Sequence, residues 1–166
     1  LGDIGEHFPD SDPALAGMRD RRTTLEGGLD LRFKPIADHP LSLRLDGRHD
    51  LLGEHEGGTV GAALAWEIDR GWWAVTPKIG VNWYSDRLMR HLAGVDASEA
   101  RSGRPAYTPG DETSIELGFS ARFPLSRTWG LGLIGGWEKF GDRFSASPIV
   151  THSSSWTAIL GLGRVF

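Results

Sequence analysis

The amino-acid sequence predicts an all-β fold, an antiparallel up-and-down transmembrane β-barrel. Three observations predict it. Apolar and polar residues alternate along seven segments, several of which have about ten residues or more. The connections between these segments are alternately short and long, and aromatic residues gather at the segment ends. Strands of globular proteins typically have about 5–6 residues, whereas membrane-spanning strands have about 9–11, so the segment lengths favour a membrane protein.

Composition limits the classes of protein to be considered. The chain has 166 residues, enough for one domain. Its 22 acidic and 18 basic residues give a net charge of −4, too mild and too mixed for a phosphate-binding surface, so we expect no nucleic-acid partner. The lack of cysteine excludes disulfides, thiolate metal sites and cysteine nucleophiles. The longest charge-free run, Ser145–Gly163, is broken by polar residues and Pro148 and is no transmembrane helix.

Seven strands are predicted from the alternation. They are Thr23–Phe33, Leu41–Gly47, Thr59–Ile68, Trp72–Tyr84, Ser114–Phe123, Trp129–Lys139 and Ser155–Phe166. The first alternates Leu, Gly and Phe with Thr, Glu, Gly, Asp and Arg, and the second alternates Leu with Ser, Arg and Asp. The third alternates Val, Ala, Leu, Trp and Ile with Gly, Ala and Glu, and the fourth alternates Trp, Val and Ile with Ala, Thr, Lys, Gly and Asn. Each therefore has one apolar face and one polar face.

The three C-terminal strands follow the same rule. The fifth alternates Ile, Leu, Phe and Ala with Glu, Gly, Ser and Arg, and the sixth alternates Trp and Leu mainly with Gly and Glu. The seventh alternates Trp, Ala and Leu with Thr and Gly, although Ile159 and Val165 interrupt the pattern. The last two of these strands carry most of their polar-face positions as glycine, which leaves that face with few side chains.

The lengths of the connections indicate which end of the barrel faces which side. The short ones are Lys34–Pro40, Asp69–Gly71 and Pro124–Arg127, and the longer ones are Arg48–Gly58, Ser85–Thr113 and Gly141–Ser154. Outer-membrane barrels have short periplasmic turns and long outer loops, and the two classes alternate here as that rule requires. Leu1–Arg22 is then an outer segment, and the longest loop is expected to contain a short helix near Leu88–Val95 or to be a solvated loop.

Aromatic residues mark both ends of the predicted strands. Those near the short turns are Trp66, Trp72, Trp73, Phe123 and Trp129, and those near the long loops are Trp83, Tyr84, Trp137 and Trp156. Two such girdles are typical of membrane barrels. A soluble barrel or lipocalin-like binding module would also show alternation, but it has no reason to show the asymmetric connections and the two girdles.

The polar faces carry charges of both signs, which we expect to line the barrel lumen because a charge facing lipid at mid-depth costs up to about 2–4 kcal/mol. The candidates are Glu26, Asp30, Arg32, Arg44, Asp46, Glu67, Lys78, Glu116, Arg122 and Glu138. They could brace and plug a narrow barrel or line a narrow aqueous channel. Their near-balance of charge favours the plugged form if the barrel is small, since buried charges tend to be paired.

No catalytic residue, cofactor site or metal site is predicted. The Gly130, Gly132 and Gly135 spacing matches the dinucleotide fingerprint, but the alternation continues after it where that fingerprint needs a helix. His49 and His55 lie near three carboxylates, Asp50, Glu54 and Glu56, and could gather a divalent cation, yet their spacing matches no zinc motif. Outer-membrane enzymes use a serine and a histidine, but the candidates Ser114, Ser120 and Ser155 have no histidine at a suitable spacing.

Four segments resemble the MipA/OmpV family of outer-membrane proteins, also called MltA-interacting proteins. They are GMRDRRTTLEGGL (Gly17–Leu29), GVDASEARSGRPAYTPG (Gly94–Gly110), FPLSRTWGL (Phe123–Leu131) and GDRFSASPIV (Gly141–Val150). The chain also ends in Phe166, as such barrels tend to, although Arg164 departs from the usual apolar residue two positions earlier. The resemblance implies a Gram-negative outer-membrane location.

The resemblance also implies a function and a larger barrel. Family members are associated with murein (peptidoglycan) synthesis as non-enzymatic scaffolds that bridge a lytic transglycosylase and a penicillin-binding protein. The alternative is a porin-like channel for small solutes. Seven strands are an odd number, whereas bacterial single-chain barrels have an even number. We therefore expect residues 1–166 to form a single barrel domain that lacks N-terminal strands, embedded in outer-membrane lipid.

Overall fold

The computed structural model of the chain describes residues 3–4 and 15–164. The strands in this part of the chain are β1 (Asp3–Ile4), β2 (Thr24–Phe33), β3 (Leu41–Asp50), β4 (Gly58–Trp66), β5 (Ile68–Asp69), β6 (Ala74–Tyr84), β7 (Glu112–Pro124), β8 (Trp129–Phe140) and β9 (Ser154–Arg164). The helices are α1 (Asp86–Ala93) and α2 (Asp142–Ser145). All seven predicted strands are confirmed within one to three residues at most ends. The last two residues of the seventh, with Phe166, lie outside the described residues.

The strands form one antiparallel sheet in the order β1-β2-β3-β4-β6-β7-β8-β9, with the short β5 paired to β6. Each long strand therefore pairs with the next long strand along the chain, which is the up-and-down arrangement that the sequence predicts. The sheet curls into a half-barrel. In the described part of the chain no ladder joins β9 to β1 or β2, so both edges of the sheet are open. No helix among these residues is long and apolar enough to cross a membrane.

Two of the strand ends that differ from the prediction are explained by local hydrogen bonding. β3 continues to Asp50, three residues further than predicted, because its ladder with β2 continues to that residue. β6 begins at Ala74 and not at Trp72, because the preceding residues form a tight turn. In that turn Gly71 has a φ of +78° and its N–H donates to the Asp69 carboxylate at 2.7 Å.

One face of the sheet is apolar and exposed, and we call it the outer face. Leu29 is 76% exposed, Leu160 is 70% exposed and Trp156 is 80% exposed. Further exposed side chains on this face are Leu31, Val60, Leu64, Ile79, Val81, Ile115, Leu117 and Leu162. A continuous apolar surface of this extent is not stable in water and is the surface that lipid covers. The outer face is therefore the membrane-facing side of the half-barrel.

Most of the predicted aromatic girdle lies where expected, and one member does not. Trp72 and Trp73 contact each other at a short turn, with ring centroids 6.0 Å apart, and Trp137 and Trp156 do so near the long loops at 6.2 Å. The prediction for Tyr84 was wrong. Its hydroxyl donates to Glu138 Oε1 at 2.5 Å on the opposite face of the sheet, because Tyr84 has the same strand parity as the polar residues of β6.

The largest cluster of buried apolar side chains lies outside the sheet, in the long loops. Leu88, Met89, Ala93 and Val95 are all at most 2% exposed. We call residues 51–57, 85–111 and 141–153 the outer cap. Helix α1 lies in the middle segment and is capped by Ser85, whose hydroxyl accepts from the Leu88 N–H. The structure thus confirms a helix in the longest loop, two residues earlier than the sequence suggests.

Candidate functional site: the inner charged face and the outer cap

On the polar face of the sheet, which we call the inner face, residues of like charge lie opposite each other on neighbouring strands. Ion pairs between diagonal neighbours offset this arrangement. Asp30 lies opposite Asp46, and Arg32 lies opposite Arg44. The Arg44 guanidinium then reaches diagonally to Asp30 at 2.7 Å and along its own strand to Asp46 at 3.4 Å, while Arg32 contacts Asp30 at 3.1 Å. Direct like-charge opposition is destabilising in a sheet, and these diagonal ion pairs offset it.

A second group of inner-face charges lies on β6, β7 and β8. Lys78 Nζ is 2.5 Å from Glu116. Glu116 lies opposite Glu138, whose Oε1 atom accepts from the Tyr84 hydroxyl, the Asn82 amide at 3.1 Å and the Ser114 hydroxyl. Ser114, one of the serines considered for catalysis, is therefore a donor to the Glu138 carboxylate within this network. These contacts brace the sheet through its inner face.

The three remaining predicted lumen residues lie at the two ends of the sheet. Near the short turns, Glu67 lies between β4 and β5 and contacts Lys34 at 3.1 Å, and Arg122 contacts Asp69 at 3.2 Å. Glu26 lies at the opposite end, buried beneath the outer cap. The ten charged residues thus form separate groups, mostly with a partner of opposite charge. That they line a lumen stays a prediction.

The C-terminal hairpin has an inner face of a different kind. Glycine pairs with glycine at Gly132–Gly161 and Gly130–Gly163, and Ile134 pairs with Ile159. The glycine spacing that resembles a dinucleotide fingerprint lies inside strand β8, with no helix after it, so it lacks the geometry for pyrophosphate. This part of the inner face is flat, apolar and uncharged.

In the outer cap, the loop between β3 and β4 is organised by the Asp50 carboxylate. The Asp50 side chain is 0% exposed. Its Oδ1 atom accepts from the Thr24 hydroxyl and from the backbone N–H groups of Leu52 (2.9 Å) and Gly53 (3.2 Å). Its Oδ2 atom accepts from the N–H groups of His55 (2.7 Å) and Glu56 (2.9 Å). One buried carboxylate thereby satisfies four loop amides.

A second buried carboxylate holds the middle loop of the cap. Glu99 accepts from the backbone N–H groups of Arg19 and Asp96, each at 3.1 Å, and lies 3.7 Å from the Arg21 guanidinium. Burial raises the pKa of Glu99, but these hydrogen bonds and the neighbouring arginines outweigh it and hold the pKa below its usual range. Arg104, also buried, donates to the Glu99 backbone carbonyl at 2.8 Å. These contacts join the segment that precedes β2 to the longest loop.

Histidine 55 is fully enclosed in the cap and contacts a different partner from the one the sequence suggests. The Nδ1 atom of His49 hydrogen-bonds the Asp50 backbone carbonyl, so His49 is not the partner of His55. Instead the His55 ring lies 5.2 Å, centroid to centroid, from the ring of His91 on α1. A cleft of about 470 Å³ opens beside this pair, lined by Arg21, Glu54, His55, Glu56, Arg87, Arg90, His91 and Asp96. Sequence reasoning missed the contact of His91 because no spacing rule connects it to His55, which lies 36 residues earlier in the chain.

The geometry at His55 does not suit a metal ion. The Gly57 N–H donates to His55 Nδ1 at 2.9 Å, so the neutral ring carries its proton on Nε2 and has no lone pair to offer there. In residues 15–164 no group of three or more His, Asp or Glu side chains is arranged to hold a metal ion. The residues around His49 and His55 that could gather a divalent cation are therefore not arranged as a ligand set.

Comparison with known proteins assigns the family. The model of the family described as "MltA-interacting protein MipA" matches residues 3–166. The chain belongs to the MipA family. It is 28% identical over 147 residues to outer membrane protein Omp26La of Vibrio anguillarum, covering 89% of this chain and 56% of that protein. It is 29% identical over 165 residues to the MltA-interacting protein of Escherichia coli (strain K12), covering 99% of this chain and 62% of that protein. No solved structure matches.

Membership of the MipA family agrees with the fold. This MipA-family chain spans about 56–62% of the length of these curated relatives. The named relatives are outer-membrane or interaction proteins, and the half-barrel has an apolar membrane face. The chain is therefore a β-barrel protein of the Gram-negative outer membrane.

Proposed function

We propose that this protein is a non-enzymatic scaffold that holds a murein-remodelling enzyme at the periplasmic face of the outer membrane. The MltA-interacting protein of Escherichia coli, related over 99% of this chain, supports a lytic transglycosylase of the MltA type as the partner. By family resemblance, a penicillin-binding protein is the second partner that such a scaffold bridges. A conducting channel is not favoured, since the relatives' names include an interaction protein and no channel.

The partner surface we propose is formed by the three short turns. Each carries one large apolar side chain that is more than half exposed: Ile36, Trp72 and Leu125. Around them lie the ion pairs Lys34–Glu67 and Arg122–Asp69, which are also largely exposed. An apolar centre with a charged rim is typical of protein interfaces, and tryptophan is a frequent hot-spot residue. This observation carries the proposal because short turns of a barrel need no apolar side chains for their own stability.

We further infer that the closed barrel contains additional strands on the N-terminal side of the seven long ones. Unpaired backbone groups are not tolerated in the hydrocarbon region of a membrane, and the described sheet has two open edges. The greater length of the relatives supports the same inference. Those strands would bring further turns to the periplasmic surface and enlarge it. A larger surface is needed because stable interfaces bury about 800 Å² per partner.

Binding to a purified lytic transglycosylase of the MltA type tests the proposal. The protein is placed in lipid nanodiscs, and binding is measured by biolayer interferometry. The test variant combines Ile36→Ser, Trp72→Ser and Leu125→Ser, and the matched control combines Leu51→Ser and Leu52→Ser, two leucines equally exposed on the outer cap. We expect the turn variant to bind at least tenfold more weakly and the cap variant to bind normally, since a hot-spot residue contributes about 2 kcal/mol or more.

Two results would contradict the proposal in different ways. If the unaltered protein does not bind the enzyme, the scaffold function is wrong. If it binds and the turn variant binds equally well, the function stands and the surface is wrong. Heat-modifiable gel mobility shows that each variant is folded.

A further inference from the structure

Two histidines from different loops contact each other at the centre of the outer cap. His55 lies in the β3–β4 loop, and its side chain is 1% exposed. His91 lies in helix α1, and the two ring planes are tilted by 46°. The Nε2 atoms of both rings are buried, and neither has a hydrogen-bond partner among the described residues. Buried polar atoms are nearly always satisfied, so two ring nitrogens without a partner, on rings that pack together, require an explanation.

A backbone donor occupies one ring nitrogen of His55. Since Nδ1 accepts from the Gly57 N–H, a second proton on the ring would have to displace that bond. The Nε2 atom faces Glu26 Oε1 at 3.9 Å, too far for a hydrogen bond, and the Glu26 side chain is also 1% exposed. His55 is therefore held by its backbone contact and packs its enclosed ring against that of His91.

The surroundings of His91 oppose its protonation. Burial is the main cause, followed by the proximity of His55 and Arg21, and together they lower its pKa below the usual value of 6.5 although Asp50 and Glu54 act in the other direction. The charged and titratable groups packed around the two rings come from six parts of the chain. They are Arg21, Glu26 on β2, Asp50 on β3, Glu54 and Glu56 in the β3–β4 loop, Arg87 and Arg90 on α1, and Asp96 after it.

Other contacts also join α1 to this loop and to the start of β4. The Ser85 hydroxyl, at the start of the helix, accepts from the Gly58 N–H at 2.9 Å. A Cβ atom at Gly57 would overlap the Leu88 backbone nitrogen, so the loop and the helix touch backbone to backbone there. Arg87 and Glu56 form an exposed ion pair at 2.7 Å, which contributes little. The ring contact of His55 and His91 thus joins two titratable side chains across this junction.

We propose that His55 and His91 form a proton-sensitive clasp, in which the ring contact holds α1 against the β3–β4 loop while His91 is neutral and releases it when His91 takes up a proton. Protonation of His91 places a positive charge against the enclosed His55 ring and Arg21. In the released state, water solvates the protonated ring and the cleft beside it widens. Paired histidines that separate on protonation are a known way to couple pH to loop position.

The sign of the pH effect follows from linkage. His91 has a lowered pKa in the closed cap and an ordinary pKa of about 6.5 in the released state. The clasp is therefore fully stabilising above about pH 6.5 and weakens as the pH falls from there towards the lowered value. In that window the uptake of one proton raises the ratio of released to closed cap by up to about tenfold per pH unit.

A distance measurement across the junction tests the clasp. The chain has no cysteine, so Leu52→Cys and Ser98→Cys, both exposed on the cap, introduce two unique spin-label sites. Electron–electron double resonance is recorded in lipid nanodiscs at pH 7.5 and pH 5.0. We expect a narrow distance distribution at pH 7.5 and a second, longer population at pH 5.0. The longer population should be absent in His91→Gln and unchanged in the control His152→Gln, an exposed histidine of another loop.

The proposal is overturned if the unaltered histidine pair gives the same distribution at both pH values, or if His91→Gln retains the full response. If that variant does not fold, the titration of the histidine rings by NMR in the unaltered chain decides. The His91 midpoint should lie below 6.5 and coincide with the distance change. A midpoint that differs from the distance change by a pH unit contradicts the clasp.

Discussion

Replacing Asp50 by asparagine should loosen the β3–β4 loop strongly, although the side chains have nearly the same shape. Both carboxylate oxygens of Asp50 accept from donors, one from three groups and the other from the N–H groups of His55 and Glu56. Whichever way the asparagine amide turns, its NH2 group faces at least two N–H donors. At least two buried hydrogen bonds to a charged acceptor are then lost.

The expected size of this effect follows from the bond count. A hydrogen bond to a charged group contributes about 1.5–3 kcal/mol, so the loss of two costs about 3–6 kcal/mol. At about 1.4 kcal/mol per factor of ten, the opening equilibrium of the loop rises by a factor of about 10² to 10⁴. Hydrogen exchange with mass spectrometry measures this directly as faster exchange of the peptide that spans residues 51–57.

Glu54→Gln is the matched control for Asp50→Asn. It makes the same chemical change in the same loop, but Glu54 has only a long contact, 3.5 Å, to an exposed Arg22. We expect less than a threefold change in exchange because exposed ion pairs contribute about 0–1 kcal/mol. A protection loss below tenfold in Asp50→Asn, or an equal loss in both variants, would refute the reasoning.

Two further predictions test the faces of the sheet. Leu160→Arg and Gly161→Arg alter adjacent residues of β9 that point to opposite faces of the sheet. We expect Leu160→Arg to lower the free energy of unfolding in lipid vesicles by about 2–4 kcal/mol and Gly161→Arg to lower it by little. Equal losses in urea titrations would contradict the assigned membrane face. Gly135→Ala should lower the free energy of unfolding by about 1–3 kcal/mol because the added Cβ would overlap the Phe119 ring. In Gly161→Ala the added Cβ meets nothing within 4 Å, so the free energy of unfolding should not change. Equal urea midpoints for the two variants would show that the Phe119 ring moves aside readily.

The strands were predictable from the sequence because a half-barrel in lipid obeys period-two alternation more strictly than a soluble sheet does. In β2, leucines face lipid and charged residues face inward without exception, since the exposed leucines have no other stable environment. The errors occurred where a backbone hydrogen bond or a turn decides the geometry. Gly71 removes Trp72 from its strand in this way, and no periodicity contains that information.

The outer cap was not predictable in the same way. Its buried groups, such as Glu99 and Arg104, are charged residues in a loop whose composition indicates a solvated segment. Their burial depends on contacts between segments that are far apart in the chain, such as Arg104 with Glu99 and the Ser147 hydroxyl with the Ala93 carbonyl at 2.6 Å. His91 likewise meets His55 through tertiary packing. A single sequence holds no local pattern for such contacts.

The position of the apolar cluster in the outer cap has a consequence for the order of assembly. The loops that contain Met89 and Val95 start on the periplasmic side and cross the membrane as their hairpins insert. Their buried contacts, including those of Asp50 and Glu99, can therefore form only after translocation, on the cell surface, without ATP-driven chaperones. With no cysteine in the chain, no disulfide locks the result. Hydrogen-bonded carboxylates and a few apolar side chains must complete the final folding step alone.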